Sequence, residues 1–171
     1  MLRKKSIVIS LLVIGILTVI ANVLTTHWGI GVRPDSASYL NAARNLVDGN
    51  GLTITFQSLE PIPLLWFAPA YSFVLAAASP LFGTPIVAAF WIQTLFFVGS
   101  IFLVALAVYT CTENTYATIV GAAIMASAPD VMFYHQFVMT EPAFIFFCLL
   151  TWLLLARYLQ TNQRSMLILS A

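Results

Sequence analysis

Two carboxylates stand out in a chain where only 8% of residues are charged. Asp35 lies in GVRPDSASYLNAARNLVDGNGLT, a polar island after the first apolar run, with Arg33, Arg44 and Asp48 around it. Glu141 lies in VMTEPAFIFF, at the mouth of another apolar run, between Thr140 and Pro142. A carboxylate held ionised and oriented at a helix start can serve as a general base or a metal ligand. Both positions also have plainer readings. Asp is a favoured helix N-cap, and an acid in a first turn offsets the helix dipole. Glu141 is harder to dismiss, because acids at membrane depth are costly and usually functional. Asp130 follows Pro129 and reads as a capping or turn residue.

Other polar groups cluster near these acids in sequence. His135 and Tyr134 fall in the same patch, although a lone His near a membrane surface is more often hydrogen-bonded than a ligand. Arg33 and Arg44 suit a phosphate, and Arg44 is equally readable as a snorkelling residue on its helix. His27, Trp28, Trp66 and Tyr71 fit an interfacial aromatic belt. No nucleotide-binding glycine loop, no G-x-S-x-G elbow and no H-E-x-x-H occurs, so soluble-type nucleotide chemistry has no support. Cys111 and Cys148 sit in or beside apolar runs without a Cys-x-x-Cys or Cys/His cluster, which argues against a disulfide framework or a zinc site.

The elements that must position these residues are apolar. Of the 171 residues, 61% are hydrophobic, and the mean hydropathy is +0.96. A soluble domain of this size has too small an interior for so much apolar surface. The net charge of +1 says nothing about nucleic acid, and no basic run interleaved with aromatics suggests such a partner. The expected fold is an all-α polytopic membrane protein with about four transmembrane helices. Clear spans are Ile7–Leu24, Pro85–Thr110 and Pro142–Leu159. Tyr116–Ala128 is shorter and continues through a kink at Pro129 to about Phe137. A further run begins at Met166, so the chain reads as the front of a longer protein. MLRKK before the first run holds that end in the cytoplasm, and the run lacks the short core and Ala-x-Ala end of a signal peptide.

Leu64–Phe82 decides the topology. Pro69 and Pro80 interrupt it. As a full span it would put Arg157 and Arg164 outside, against the positive-inside rule; as a juxtamembrane or re-entrant helix it puts them inside with Arg3, Lys4 and Lys5. The second choice makes residues 25–84 one long external loop and brings Glu141 to the same outer face as Asp35. Within the loop, Tyr39, Leu40, Ala43, Leu46 and Val47 recur at helical spacing, opposite Ser38, Asn41, Asn45 and Asp48. They predict a short amphipathic helix over Ser36–Asp48, suited to the membrane interface, with Gly49-Asn50-Gly51 as its stop signal. Leu52–Phe56 alternates and suits a short extended piece.

Together, PDSASYLNAARNLVDGNGL, PAYSFVLAAASPLFG and SAPDVMFYHQFVMTEPAFIFF resemble the start of a polyprenyl-phosphate-dependent membrane glycosyltransferase of the C-type fold, in the protein mannosyltransferase and aminoarabinose transferase group. The best match is the spacing of Asp35, Tyr39, Ala43, Leu46, Gly49, Gly51 and Leu52. Pro69 with Tyr71, and Leu81 to Gly83, support it. The resemblance covers nearly all of the chain, which would form the N-terminal part (residues 1–171) of a single transmembrane glycosyltransferase domain. It implies that Asp35 is the catalytic carboxylate of the first external loop, and that Glu141 is the second acid, where relatives often have Asp. Many relatives have a Lys before a Pro pair in that loop; PLLWFAPAY has none.

The implied reaction moves a sugar from a polyprenyl-phosphate donor to an acceptor hydroxyl on a glycan, lipid or protein, at the outer face of the cell membrane. An alcohol is a poor nucleophile at neutral pH, so Asp35 takes its proton as it attacks the anomeric carbon. Glu141 orients the acceptor or helps Asp35 hold a divalent metal, the one cofactor left open. Arg33, Tyr39, Arg44, Tyr71 and His135 are expected to bind substrate. Direct displacement implies inversion at the sugar carbon. Two rivals stand beside this reading: a non-catalytic transporter or flippase piece, and an inactive fragment. Transporters place polar groups mid-membrane, whereas these spans hold only Gln93, Thr94, Ser100 and similar mild groups there.

Overall fold

The computed structural model describes residues 2–55 and 60–161. Arg164 and the apolar run from Met166 lie outside the described residues. Seven helices account for most of the described residues: α1 (Leu2–Thr25), α2 (Pro34–Val47), α3 (Pro69–Phe82), α4 (Pro85–Thr112), α5 (Thr115–Ser127), α6 (Pro129–His135) and α7 (Glu141–Thr161). The mostly helical architecture agrees with the all-α expectation. The short extended piece expected at Leu52–Phe56 holds β1 (Thr53–Ile54), which pairs antiparallel with β2 (Ile62–Pro63) within the first loop.

Local chemistry sets the breaks. Thr84 caps α4 by accepting from the Val87 N–H, and Pro85 opens the helix, at the one turn that needs no proline N–H. Asn114 caps α5 through two bonds, from Tyr116 N–H at 2.8 Å and Ala117 N–H at 3.2 Å. Pro129 forces Ala128 out of helical geometry. The expected kinked span is therefore two helices, α5 and α6, bent by 54°.

Lys5–Thr25, Pro85–Thr112 and Glu141–Thr161 are long and apolar enough to cross a membrane, and the bent α5–α6 pair makes a fourth if counted as one span. α3, with 14 residues, rises about 21 Å, short of the roughly 30 Å of a hydrocarbon core. It packs on α2 and α4 instead, burying Tyr71, Ser72, Leu75 and Ser79. On α1, Val8, Ile9, Leu12, Ile16 and Leu17 are all exposed, a continuous apolar surface that suits hydrocarbon and not water.

Side-chain contacts fix the helix directions. Late α1 meets early α4, where Asn22 Nδ2 donates to Thr94 Oγ1 at 2.6 Å, while Gly15 faces Val98 and Phe102. These helices run antiparallel. α5 returns beside α4, burying Ala122 with Ile101 and Ala105. α7 runs parallel to α4, with Phe146 against Phe96 and Gly99. The end of α1, the starts of α4 and α7 and the end of α6 thus gather at one end of the bundle. Lys5 and Arg157 lie at the other end.

Candidate functional site

The site is built where the loop after α1 meets the loop between α6 and α7. Gly31 N–H donates to the Gln136 carbonyl at 2.7 Å, and Val138 N–H donates to the Gly31 carbonyl at 3.0 Å. This short parallel bridge ties the segment that carries Asp35 to the segment that carries Glu141. Only glycine allows it, because a Cβ at position 31 would lie 2.5 Å from the Phe137 ring.

From the bridge the chain enters α2. The expected start at Ser36 is two residues late, and Asp35 is not the cap. Arg33 is the N-cap, and its N–H donates to Ser36 Oγ at 2.9 Å. Asp35 sits in the first turn with its carboxylate exposed. Ser36 takes the capping role, so the Asp35 side chain stays available.

The amphipathic reading of α2 also needs correction. Val47 is exposed, while Ser36, Ser38, Tyr39, Leu40, Ala42 and Ala43 are buried. Its polar side does not simply face solvent. Asn41 Oδ1 accepts the Thr55 N–H and Asn41 Nδ2 donates to the Thr55 carbonyl, both at 2.9 Å. Asn45 Nδ2 donates to the Thr53 carbonyl at 2.9 Å. The two asparagines imitate a neighbouring strand and clamp the hairpin onto the helix. Gly49 and Gly51 then turn the chain at φ 80° and 74°, conformations that favour glycine.

One turn after Asp35, Tyr39 points into the cluster. Its ring packs edge-on against Phe67 and Tyr71, each at 5.3 Å. The Thr140 side chain and the carboxylates of Asp35 and Glu141 all lie close enough to its hydroxyl to act on it. Burial pushes the Tyr39 phenol above the ordinary 10.0; the Thr140 side chain draws it back, and the two carboxylates push it up again. Asp35 and Glu141 therefore share one neighbour at one end of the bundle. Glu141 is half-buried, and the Thr140 hydroxyl approaches its Oε2 at a long 3.5 Å.

Below Tyr39 lies a buried floor. Gln93 Nε2 donates to the Tyr71 hydroxyl at 3.0 Å and to the Met139 carbonyl at 2.8 Å. Gln93 is fully buried, and its Oε1 has no partner among the described residues. Tyr71 is buried too, and burial raises its phenol above the usual value. The Tyr71 hydroxyl accepts from Gln93 and keeps its own proton. The pair forms a rigid base beneath the acids.

The remaining predicted residues divide. The Arg33 guanidinium lies over the rings of Phe133 and Phe137, at 4.8 and 4.6 Å from their centroids, a cation–π seat at the edge of the bridge. Arg44 is exposed, late in α2. His135 departs furthest from expectation. It is 1% exposed, its Nδ1 is paired with the Val131 carbonyl at 2.6 Å, and its ring stacks on Phe97 at 4.1 Å. It is a core residue, and its Nε2 has no partner among the described residues. As for a metal, no group of three or more His, Cys, Asp or Glu gathers among the described residues. Asp35 and Glu141 offer at most a two-ligand site.

Sequence reasoning missed Gln93, Thr140 and Gly31. Gln93 looked like a mild mid-span group. Its one signal was a full amide in an otherwise apolar helix, which demands a buried partner. The class defined so far is a helical protein with at least three helices fit to cross a membrane and a tyrosine–carboxylate cluster at one bundle end. Comparison with protein-family models, with curated proteins and with solved structures gives no match.

Proposed function

We propose that the chain is the membrane-embedded front portion of a glycosyltransferase that moves a sugar from a polyprenyl-phosphate donor to an acceptor hydroxyl, with Asp35 as general base. The reading rests first on one relationship: Asp35 and Glu141, far apart in sequence, act on the same Tyr39 hydroxyl. The resemblance of the sequence motifs to polyprenyl-phosphate-dependent transferases supplies the substrate class.

In this reading the Asp35 carboxylate takes the acceptor hydroxyl proton as the oxygen attacks the anomeric carbon. The bond from that carbon to the lipid phosphate breaks, and the phosphate leaves with the electron pair. Asp35 is exposed and not spent on capping, so an aqueous acceptor can reach it. Glu141 and Thr140 orient the acceptor, and Tyr39, kept as a neutral phenol, donates a hydrogen bond beside them. Arg33 faces the departing phosphate from its aromatic seat. The two substrates meet at one interface, which adds a proximity contribution. No step runs through a metal. The bundle lies in the cell membrane with this end outward and Lys5 and Arg157 inward.

The test is transfer of a radiolabelled polyprenyl-linked sugar by membranes expressing the open reading frame that contains this chain. Asp35→Asn should lower transfer by about 10²- to 10⁴-fold, the usual worth of a general base, with alkali-resistant membrane insertion unchanged. Transfer retained by an inserted Asp35→Asn protein sinks the base assignment.

A further inference from the structure

The bundle carries a second feature, at the end away from the acids. α4 and α7 run side by side and touch tightly near the site. A Cβ on Gly99 would lie 2.6 Å from the Phe146 ring, and Phe96 packs on Phe146 at 5.3 Å. Beyond that contact a groove of about 400 Å³ lies between the two helices. Leu103, Leu106 and Ala107 wall it on α4, and Leu149, Leu150 and Leu153 on α7. Both sets follow helical spacing, the stripe that a helix normally turns toward a neighbour. Every lining residue belongs to one of these two helices.

The groove is apolar along its length and polar at one end. Thr110, Arg157 and Gln160 stand at that end, and Arg157 is exposed. From Leu149 to Gln160, both in the lining, α7 rises about 16 Å. One leaflet contributes about 15 Å of a roughly 30 Å hydrocarbon core.

We propose that this groove binds a membrane phospholipid with an anionic headgroup, its phosphate paired with Arg157 and an acyl chain laid along the leucines. A guanidinium fits phosphate with two parallel hydrogen bonds. Basic residues at the mouth of a cleft between membrane helices select anionic headgroups. Gln160 and Thr110 add neutral donors. Glu113, just past α4, is not among the lining residues. The cation at one end and the one-leaflet length both favour a lipid over a polypeptide. The proposal needs the bundle to lie in a bilayer and does not depend on sugar transfer.

Trp152 lines the groove and is 75% exposed, so it reports on the occupant. The chain, with Trp28, Trp66 and Trp91 changed to Phe, is reconstituted in phosphatidylcholine vesicles doped with brominated phosphatidylglycerol or brominated phosphatidylcholine. Half-maximal quenching should need about fivefold less of the anionic lipid, and Arg157→Gln should abolish that preference. Equal quenching by the two lipids overturns the proposal, as does a preference that Arg157→Gln retains. Protection of Trp152 from both lipids means that a protein segment or a second copy fills the groove, and overturns it as well. Native mass spectrometry of the unaltered chain gives a second readout: phosphatidylglycerol should be enriched over its bulk ratio, and less so in Arg157→Gln. Neither measurement involves transfer, so failure here leaves the roles of Asp35 and Glu141 standing, and the reverse.

Discussion

The Gly31 carbonyl accepts the Val138 N–H at 3.0 Å, and this bond holds the two acid-bearing loops of the protein in one place. Gly31 is close-packed under the Phe137 ring, with the Gln136 carbonyl 3.1 Å from where a Cβ would sit. Gly31→Ala forces a ring and a backbone group to move together. The expected cost is about 1–3 kcal/mol, the usual range for overpacking, read as a lower thermal midpoint in detergent. Phe137→Leu should recover most of it in the double mutant. A wild-type midpoint for Gly31→Ala means that the two loops are not clamped.

Gln93 makes the same point from below. Its amide serves two acceptors, Tyr71 and Met139. Gln93→Leu leaves the Met139 carbonyl without that donor, while removing one acceptor, Oε1, that is itself unpaired. The net loss should be about 1 kcal/mol, near the low end for unsatisfied groups. Tyr71→Phe should cost less, since Met139 stays bonded. The double mutant should be less than additive, because the two residues share a bond. Additive losses in equilibrium unfolding exclude the shared bond.

Much of this architecture is legible in the sequence, and the exceptions have physical causes. Span positions follow from long apolar runs, and three expected spans agree with helices to within a few residues at either end. The break at Pro129 is visible as a proline. Its size is not, because a bend of 54° depends on what the second half packs against. Pairing between Gly31 and Phe137 leaves no local trace, since either loop alone looks like an ordinary connection. His135 shows the converse error: its neighbours in sequence are polar, but α6 turns it onto Phe97. Asn41 and Asn45 read as a polar face because nothing local shows that the extended piece expected at Leu52–Phe56 folds back against them.

Tyr39 allows the cluster to be tested without substrate. Its phenol titrates above 10.0, chiefly through burial, with Asp35 and Glu141 adding to the rise. A folded value above the unfolded one favours the protonated phenol. The stabilisation is fully present below the unfolded value and is lost as pH rises through the folded one. Absorbance at 295 nm should show a late-ionising component that Tyr39→Phe removes. Asp35→Asn and Glu141→Gln should each move that component toward lower pH, because each removes a negative charge near the phenol. If only one of the two moves it, the carboxylates do not share Tyr39.

The helix directions group these residues by bundle end, and cysteine labelling reads which side of a membrane each end faces. Asp35 opens α2, Glu141 opens α7, and both lie at the end where α1 finishes. Cys111 is exposed near the far end of α4. With Cys148 replaced by Ser, native Cys111 should react with an impermeant maleimide from one side of sealed vesicles only. With both native cysteines replaced, Asp35→Cys and Glu141→Cys should each react from the opposite side. α3 is what makes this outcome informative. If its 14 residues crossed the bilayer, α4 and α7 would each start on the side opposite to α2, and Cys111 would label with position 35. Labelling of 35 and 141 from different sides would separate the two carboxylates whose charge acts on one phenol, and the proposed chemistry would fall with it.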